Sequence, residues 1–234
     1  MQARRLTIIA QDPGVRTRHR ILRAQVEIPA ETLAPGPVGY RAQIVDYDAS
    51  SDTLYEPLSM GPVDRFARAS DRRLMSDPQF HAQNVYAIVM RTLARFEFAM
   101  GRRVSWSFRG HQLKISPHAF AGANAFYSRR DRALLFGYFP CAKGKMNFTC
   151  LSHHVVAHET THALLDGLRA RYTDPSSPDQ AAFHEGFADI VALFSVLSLR
   201  EVVSAGVDLH VTQVVDGTKG VHATLPKAIF TAAQ

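Results

Sequence analysis

Two histidines and a glutamate stand close together in the second half of the chain. His158 and His162 lie four residues apart, and Glu159 directly follows the first of them. Residues four positions apart project from the same face of an α-helix, so both imidazoles can bind one metal ion. The glutamate can then reach a water molecule on that ion and act as a general base. This spacing predicts a zinc site with hydrolytic chemistry.

A third protein ligand has to come from another segment, because a catalytic zinc ion usually has three protein ligands and one open position. The segment after the next loop offers Glu185 and Asp189, again four residues apart. We expect Glu185 to complete the ligand set and Asp189 to accept a hydrogen bond from the outer N–H of a ligand histidine. Close packing of the two segments is predicted from their small residues, which are Ala157, Ala163, Gly186 and Ala188.

The neighbouring histidines receive different predictions. His154 shares a face with the pair, but it lies eight residues before His162. That is about 12 Å along a helix axis, which is too far for both to bind one small ion. His153 is expected to point into solvent, and His118 is expected on the surface. His184 can touch the site, but no role is required of it.

Two helices are predicted to carry these residues. The first covers about 152–169, and the second runs from about 179 to 199 after a loop at 174–179 that is rich in proline and serine. Beyond them, a strand-like run at 207–215 and a short helix from 224 are expected.

The first 150 residues have a different character. Residues 1–60 alternate between apolar and polar positions and are rich in turn formers, which indicates short strands. A long helix is predicted from Asp77, its cap, to Gly101, its exit, with one apolar stripe that faces the core. Strands are expected at 104–108 and at 113–115, followed by a strand pair at 124–127 and 134–139. The pattern predicts an α+β protein with a β-rich part, 1–150, and a helical zinc-site part, 151–234.

The composition is that of an ordinary globular protein, with 46% hydrophobic and 21% charged residues. No apolar run approaches the roughly 20 residues needed to cross a bilayer. The apolar stretch at 6–10 is shorter than the roughly 7–15 residues of a signal-peptide core. We therefore expect no membrane partner and, by default, a cytoplasmic location, with export by another route left open.

The formal net charge of +6 raises the alternative of a nucleic-acid-binding protein. The arginines are scattered, however, and no finger, helix-turn-helix or aromatic RNA-binding motif accompanies them. A solvated basic surface is the preferred interpretation, and no nucleic-acid partner is expected.

The chain has two cysteines, Cys141 and Cys150, which flank a predicted hairpin turn. Cross-strand pairing of the thiols stays open at this point. Because no signal peptide is evident, we expect both thiols to be free.

Beyond its spacing, the zinc-site sequence resembles a known family. The run "VVAHETTHA" at 155–163, followed by "EGFAD" at 185–189, is similar to the thermolysin-like zinc metallopeptidases, the gluzincins. The likeness extends upstream to "NAFYSRRDRALLFGYF" at 124–139 and downstream to "DGTKGVHATLPKAIF" at 216–230. It covers roughly residues 75–230.

This resemblance implies a fold and further site residues. The fold would be a thermolysin-like zincin, in which a β-rich lobe with a long helix packed on a mixed sheet precedes the active-site helices. The family's edge strand binds the substrate backbone, which implies this role for Asn124 and Ala125. Its transition-state histidine and the assisting aspartate correspond to His222 and Asp216. Tyr172 lies near the position of a family tyrosine that also stabilises the transition state.

The chain departs from the family in its C-terminal part. The segment between Asp189 and His222 is much shorter, and most of the helical C-terminal lobe is missing, so this part is expected to be shortened or truncated.

The leading hypothesis is a zinc-dependent endopeptidase with Zn²⁺ as cofactor and Glu159 as the base that acts on a metal-activated water. Its partner would be a peptide or protein bound in extended form, and the oligomeric state is open. The first alternative is a zinc-binding pseudopeptidase that serves as a binding module. The second is the basic nucleic-acid-binding protein.

Overall fold

The computed structural model of the protein describes residues 2–141, 144–169 and 176–206. Helices and a mixed sheet combine in one architecture, so the predicted α+β class is confirmed. The expected strand at 207–215 and the short helix from 224 lie outside the described residues. None of the described helices is both long and apolar enough to cross a membrane.

A long antiparallel pair opens the chain. It consists of β1, Ala3–Ile9, and β4, Arg23–Pro29, with Leu6 opposite Val26. The short strands β2, Arg16–Thr17, and β3, Arg20–Ile21, pair with each other between them. Residues of β4 are alternately buried and exposed, because one face of the pair lies on the core and the other faces solvent. The alternation predicted a strand here, and that prediction is confirmed.

The main sheet is mixed and has five strands. In chain order, the strands that follow β4 are β5, Ala42–Ile44, β6, Tyr47–Asp48, β7, Thr53–Leu54, β8, Leu113–Ala121, β9, Ala125–Ser128, β10, Ala133–Cys141, and β11, Lys145–Phe148. Strands β5 and β10 run parallel to β8 on its two sides. Strands β9 and β11 are both antiparallel to β10 and pair with its first and second half. The short β6 and β7 form a separate hairpin.

The β10–β11 hairpin confirms the predicted turn between the two cysteines. Cys141 is exposed at the end of β10, Cys150 is buried beyond β11, and the two cysteines form no disulfide with each other.

Four helices complete the described elements that concern the site. These are α1, Asp71–Ser76, α2, Pro78–Met100, α3, His153–Leu168, and α4, Pro178–Leu197. A 3-10 turn, Thr149–Leu151, leads into α3, and a further helical stretch covers 200–206.

The long helix α2 has the ends that its sequence predicts. The Asp77 side chain accepts a hydrogen bond from the backbone N–H of Gln79, and Pro78 occupies the first turn. Gly101 ends the helix with a φ of 63°, a left-handed conformation that glycine adopts without steric cost.

Helix α2 lies at the centre of the core. It contacts the β1–β4 pair, the main sheet and α3, and every residue from 80 to 93 is buried. The sequence predicted one apolar stripe facing the core, but in this part of α2 all sides of the helix are buried. The polar residues of α2 connect the layers instead: Asn84 accepts from the Ile9 N–H over 2.9 Å and donates to the Cys150 carbonyl over 2.9 Å.

The prediction of a strand at 104–108 is wrong, because this segment is irregular. Its alternation reflects two buried side chains, Val104 and Trp106, within a loop. The Trp106 indole N–H donates to the carbonyl of Arg41 over 3.1 Å, which holds the loop against the sheet.

Candidate metal centre

Helix α3 presents the two predicted metal-binding histidines. Its opposite face is buried in the core through Val156, Ala157, Ala163 and Leu164. The buried hydroxyls of Thr160 and Thr161 donate to the carbonyls four residues earlier, over 2.6 and 2.8 Å, so they need no other partner. Burial of this face leaves the His158 and His162 side chains on the side toward α4.

Helix α4 brings the carboxylates. Ser177 caps its start by accepting from the Gln180 N–H, and Pro178 occupies the first turn. Ala188 is fully buried where α4 packs on α3. Gly186 is exposed, with nothing near the position of an added side chain, so the expectation that it permits close packing is wrong.

The three predicted zinc ligands meet between α3 and α4. The Nε2 atoms of His158 and His162 are 2.9 Å apart. Glu185 Oε2 lies 3.3 Å from the first and 3.6 Å from the second. A tetrahedral zinc ion with bonds of about 2.0–2.1 Å separates its ligand atoms by about 3.3 Å. Two imidazole nitrogens and a carboxylate oxygen at these distances fit a zinc ion.

Asp189 was expected to contact a ligand histidine, and it contacts His158. Its Oδ1 atom lies 2.8 Å from His158 Nδ1. A carboxylate accepts hydrogen bonds, so Nδ1 carries the proton and Nε2 keeps its lone pair for a metal ion.

His184 contacts the proposed ligand His162, a role that the sequence did not predict. Its Nδ1 lies 2.6 Å from His162 Nδ1, and the two rings stack with centroids 4.7 Å apart. If His162 binds a metal through Nε2, its Nδ1–H donates to His184, which orients the ring. The only sequence signal was the position directly before Glu185, and it does not reveal which histidine His184 contacts.

Burial sets the charge of these groups. It lowers the pKa of His162 to about 3 and also lowers the pKa of His184. Both rings are therefore neutral at pH 7, the state in which an imidazole binds a metal. Burial also raises the pKa of Glu159 to about 8, and a bound cation would act in the opposite direction by favouring the carboxylate.

Glu159 lies beside the histidine pair rather than between them. One of its carboxylate oxygens is within 4.8 Å of the ligand nitrogens of His158 and His162. Its Oε2 accepts a hydrogen bond from the backbone N–H of Tyr127 on β9 over 3.0 Å. This hydrogen bond restrains the carboxylate next to the histidine pair.

Strand β9, which begins at Ala125, forms a sheet edge next to α3. Within the described part of the chain it pairs only with β10. The Asn124 carbonyl accepts from the Gly137 N–H over 2.9 Å. Because backbone groups alternate in direction along an antiparallel strand, those of Ala125 point to the opposite, unpaired edge. The Asn124 side chain accepts from the Ala125 N–H over 2.9 Å.

A buried ion pair ties β9 and the turn after it to α3. Asp166 is 1% exposed and accepts from Arg129 Nε over 2.8 Å and from the Tyr127 hydroxyl over 2.9 Å. Burial by itself would raise the pKa of Asp166, but its hydrogen bonds, that from Arg129 first, hold the pKa below its ordinary value. The only sequence signal for Asp166 was its position four residues after His162 on the same helix.

Two further histidines of α3, His154 and His153, lie outside the proposed ligand set. His154 has its ring 6.2 Å from that of His158 and does not join the described metal-binding groups, in keeping with its predicted exclusion. The prediction that His153 is solvated is wrong: it is fully buried, with Nε2 2.9 Å from Ser195 Oγ of α4. The start of α3 lies beneath α4, so the ring is covered.

His222, Asp216 and Tyr172 lie outside the described residues, and their roles stay predictions. A scan against models of known protein families and a search of curated protein sequences both found no match to this chain.

Proposed function

We propose that the protein is a zinc-dependent endopeptidase of the thermolysin-like type. The observation that carries the proposal is the convergence of His158 Nε2, His162 Nε2 and Glu185 Oε2 within 2.9 to 3.6 Å of one another. Glu159 stands beside them as a second carboxylate, to which the proposal gives the role of base. Two imidazoles, a ligand carboxylate and a separate base are the groups that zinc-assisted hydrolysis needs.

A bound zinc ion would supply Lewis acidity, which polarises a carbonyl and lowers the pKa of a water molecule to about 7. The residues of the chain would handle the protons. Glu159 accepts the proton of the attacking water and passes it to the leaving nitrogen. Its hydrogen bond from the Tyr127 N–H keeps the carboxylate aimed at the site.

The substrate in this proposal lies extended along the outer edge of β9. The outward carbonyl of Ala125 would pair with it as in strand addition, and the Ala125 N–H would do so after it leaves the Asn124 side chain. Asn124 would assist from the adjoining position. His222, supported by Asp216, and Tyr172 would donate to the oxygen that becomes negative in the transition state.

The test uses the purified full chain, assayed for metal content and for hydrolysis of casein and of a peptide library. We expect about one zinc ion at this site, hydrolysis that a chelator abolishes, and recovery when zinc is added back. Glu159→Gln should keep the zinc and lose hydrolysis by at least about 100-fold.

Two outcomes would contradict the proposal. Hydrolysis by Glu159→Gln at the wild-type rate would reject Glu159 as the general base. Zinc binding without hydrolysis of any peptide would favour a zinc-binding pseudopeptidase.

A further inference from the structure

A second group of metal-binding side chains lies in the interior, and the proposed function does not use it. His81 belongs to α2, His118 to β8, and Cys150 to the 3-10 turn before α3. None of the three side chains is more than 1% exposed. Their ligand atoms all lie within 4.8 Å of one another. Three segments far apart in the chain thus bring two imidazoles and a thiol to one buried point.

The outer nitrogens of the two rings face groups that accept hydrogen bonds. His118 Nδ1 lies 2.8 Å from a carboxylate oxygen of Asp46, and His81 Nε2 lies 3.2 Å from the carbonyl oxygen of Met75. His118 Nδ1 therefore carries a proton, and so does His81 Nε2 in the tautomer that bonds Met75. In neutral rings with these tautomers, the inner nitrogens, His118 Nε2 and His81 Nδ1, both hold lone pairs. These atoms are only 2.7 Å apart, so this arrangement suits a cation between them.

We propose that a zinc ion binds at this point, held by His81 Nδ1, His118 Nε2 and Cys150 Sγ. Two neutral imidazoles and a thiolate form a donor set that zinc prefers. Carboxylate and carbonyl partners on the outer ring nitrogens are the arrangement that orients zinc-bound histidines in proteins. To bind the ion, the two nitrogens move from 2.7 Å to about 3.3 Å apart. A water molecule completes the four positions.

The surroundings favour a structural site over a catalytic one. The Phe148 ring lies 4.7 Å from the His81 ring and 5.3 Å from the His118 ring. The Tyr55 ring covers His118 from 4.6 Å. With Cys150 fully buried, a substrate cannot reach the thiol, which excludes the alternative of a cysteine nucleophile activated by His118 and Asp46.

Such an ion would fasten the long helix to the sheet and to the start of the proposed zinc-site helix. Cys150 lies two residues before Ser152, after which α3 begins. The bond at Cys150 would therefore limit the movement of the helix that carries His158. This second site does not depend on the peptidase proposal.

A proton can also satisfy the observed distances. A neutral His81 with its proton on Nδ1 would donate to His118 Nε2 across the same 2.7 Å. A doubly protonated His118, paired with Asp46, would donate to His81 Nδ1 instead. The experiment has to separate a metal ion from this proton.

The test starts from the double variant His158→Ala with His162→Ala, which removes the first site. After dialysis against zinc-free buffer, elemental analysis should still find about one zinc ion per chain, because the three ligands hold the ion in the interior of the protein. Replacement of zinc by Co²⁺ should give a thiolate-to-cobalt charge-transfer band in the near ultraviolet. Cys150→Ser in this background should lose the band, whereas Cys141→Ser, at the exposed cysteine, should keep it.

Absence of zinc from the double variant would overturn the proposal, and so would cobalt bound without the thiolate band. If Cys150→Ser does not fold, X-ray absorption at the zinc edge of the double variant decides the matter. One sulfur and two imidazoles in the zinc shell support the site, and a shell without sulfur refutes it. The zinc content, the cobalt band and the X-ray absorption of the double variant do not depend on peptide hydrolysis. Failure of the peptidase proposal is therefore distinguishable from failure of this second site.

Discussion

His162 and His184 face each other through their Nδ1 atoms, 2.6 Å apart, on two different helices. Histidines that bind zinc commonly donate their outer N–H to a carboxylate or a carbonyl. In this protein a second imidazole takes that place. Because burial lowers the pKa of His184, this ring stays neutral at pH 7. It can therefore accept a hydrogen bond from the Nδ1–H of His162. His184 is therefore a positioning residue of the proposed zinc site.

Replacement of His184 by leucine should weaken zinc binding by about 10–100-fold, because the His162 ring loses the acceptor that orients it. The affinity is measured by competition with a chromophoric chelator. His184→Asn is the matched variant, since its side-chain oxygen can still accept the proton, and it should retain most of the affinity. Equal losses in both variants would show that His184 only fills space.

The two glutamates of the site should respond differently to the same substitution. Glu185→Gln should lower both zinc content and hydrolysis, because an amide oxygen is a weaker zinc ligand than a carboxylate. Glu159→Gln should lower hydrolysis alone. Metal analysis and the peptide assay on the same samples separate the two roles. Full zinc occupancy in Glu185→Gln at limiting free metal would reject Glu185 as a ligand.

The pair of Arg129 and Asp166 should contribute to stability as well as to the site. Arg129→Met leaves the buried carboxylate without its cation, and we expect a loss of about 2 kcal/mol in the free energy of unfolding. That is below the range for fully buried pairs, because the Arg129 side chain is 35% exposed.

Urea denaturation measures this loss, with Arg130→Met, at the exposed neighbouring arginine, as the control with little effect. Adding Asp166→Asn to Arg129→Met should recover part of the stability, since the amide carries no charge. A double variant less stable than Arg129→Met would contradict the role of the buried charge.

His153 should make stability depend on pH. Burial lowers its pKa to about 3, whereas an unfolded chain has a histidine pKa of about 6.5. Between these values the unfolded state binds the extra proton, so the free energy of unfolding falls as pH decreases from about 6.5 to about 3. The contribution approaches about 1.4 kcal/mol per pH unit.

Urea denaturation at several pH values measures this effect as the difference between wild type and His153→Gln, whose amide can still bond Ser195 but does not titrate. The advantage of wild type over the variant should shrink as pH falls from 6.5. A difference that is constant over this range would show that His153 is not held neutral in the folded protein.

Local sequence rules predicted several features correctly because each depends on neighbours in the chain. The ends of α2 follow from Asp77, Pro78 and Gly101, which act within one helical turn. The shared face of His158 and His162 follows from the helical repeat alone. Contact between Asp189 and a ligand histidine was also expected, since a carboxylate one turn beyond Glu185 lies on the same side of α4.

Only the tertiary structure decided which segments meet. The sequence near His81, His118 and Cys150 carries no common motif, and His118 was expected on the surface, yet it is 1% exposed. The partner of His162 is set by the way α4 crosses α3, and the hydrogen bond from Tyr127 to Glu159 by the place of β9 beside α3. Helical periodicity acts over a few residues, whereas burial and these contacts arise from packing between distant segments, which spacing in one sequence does not encode.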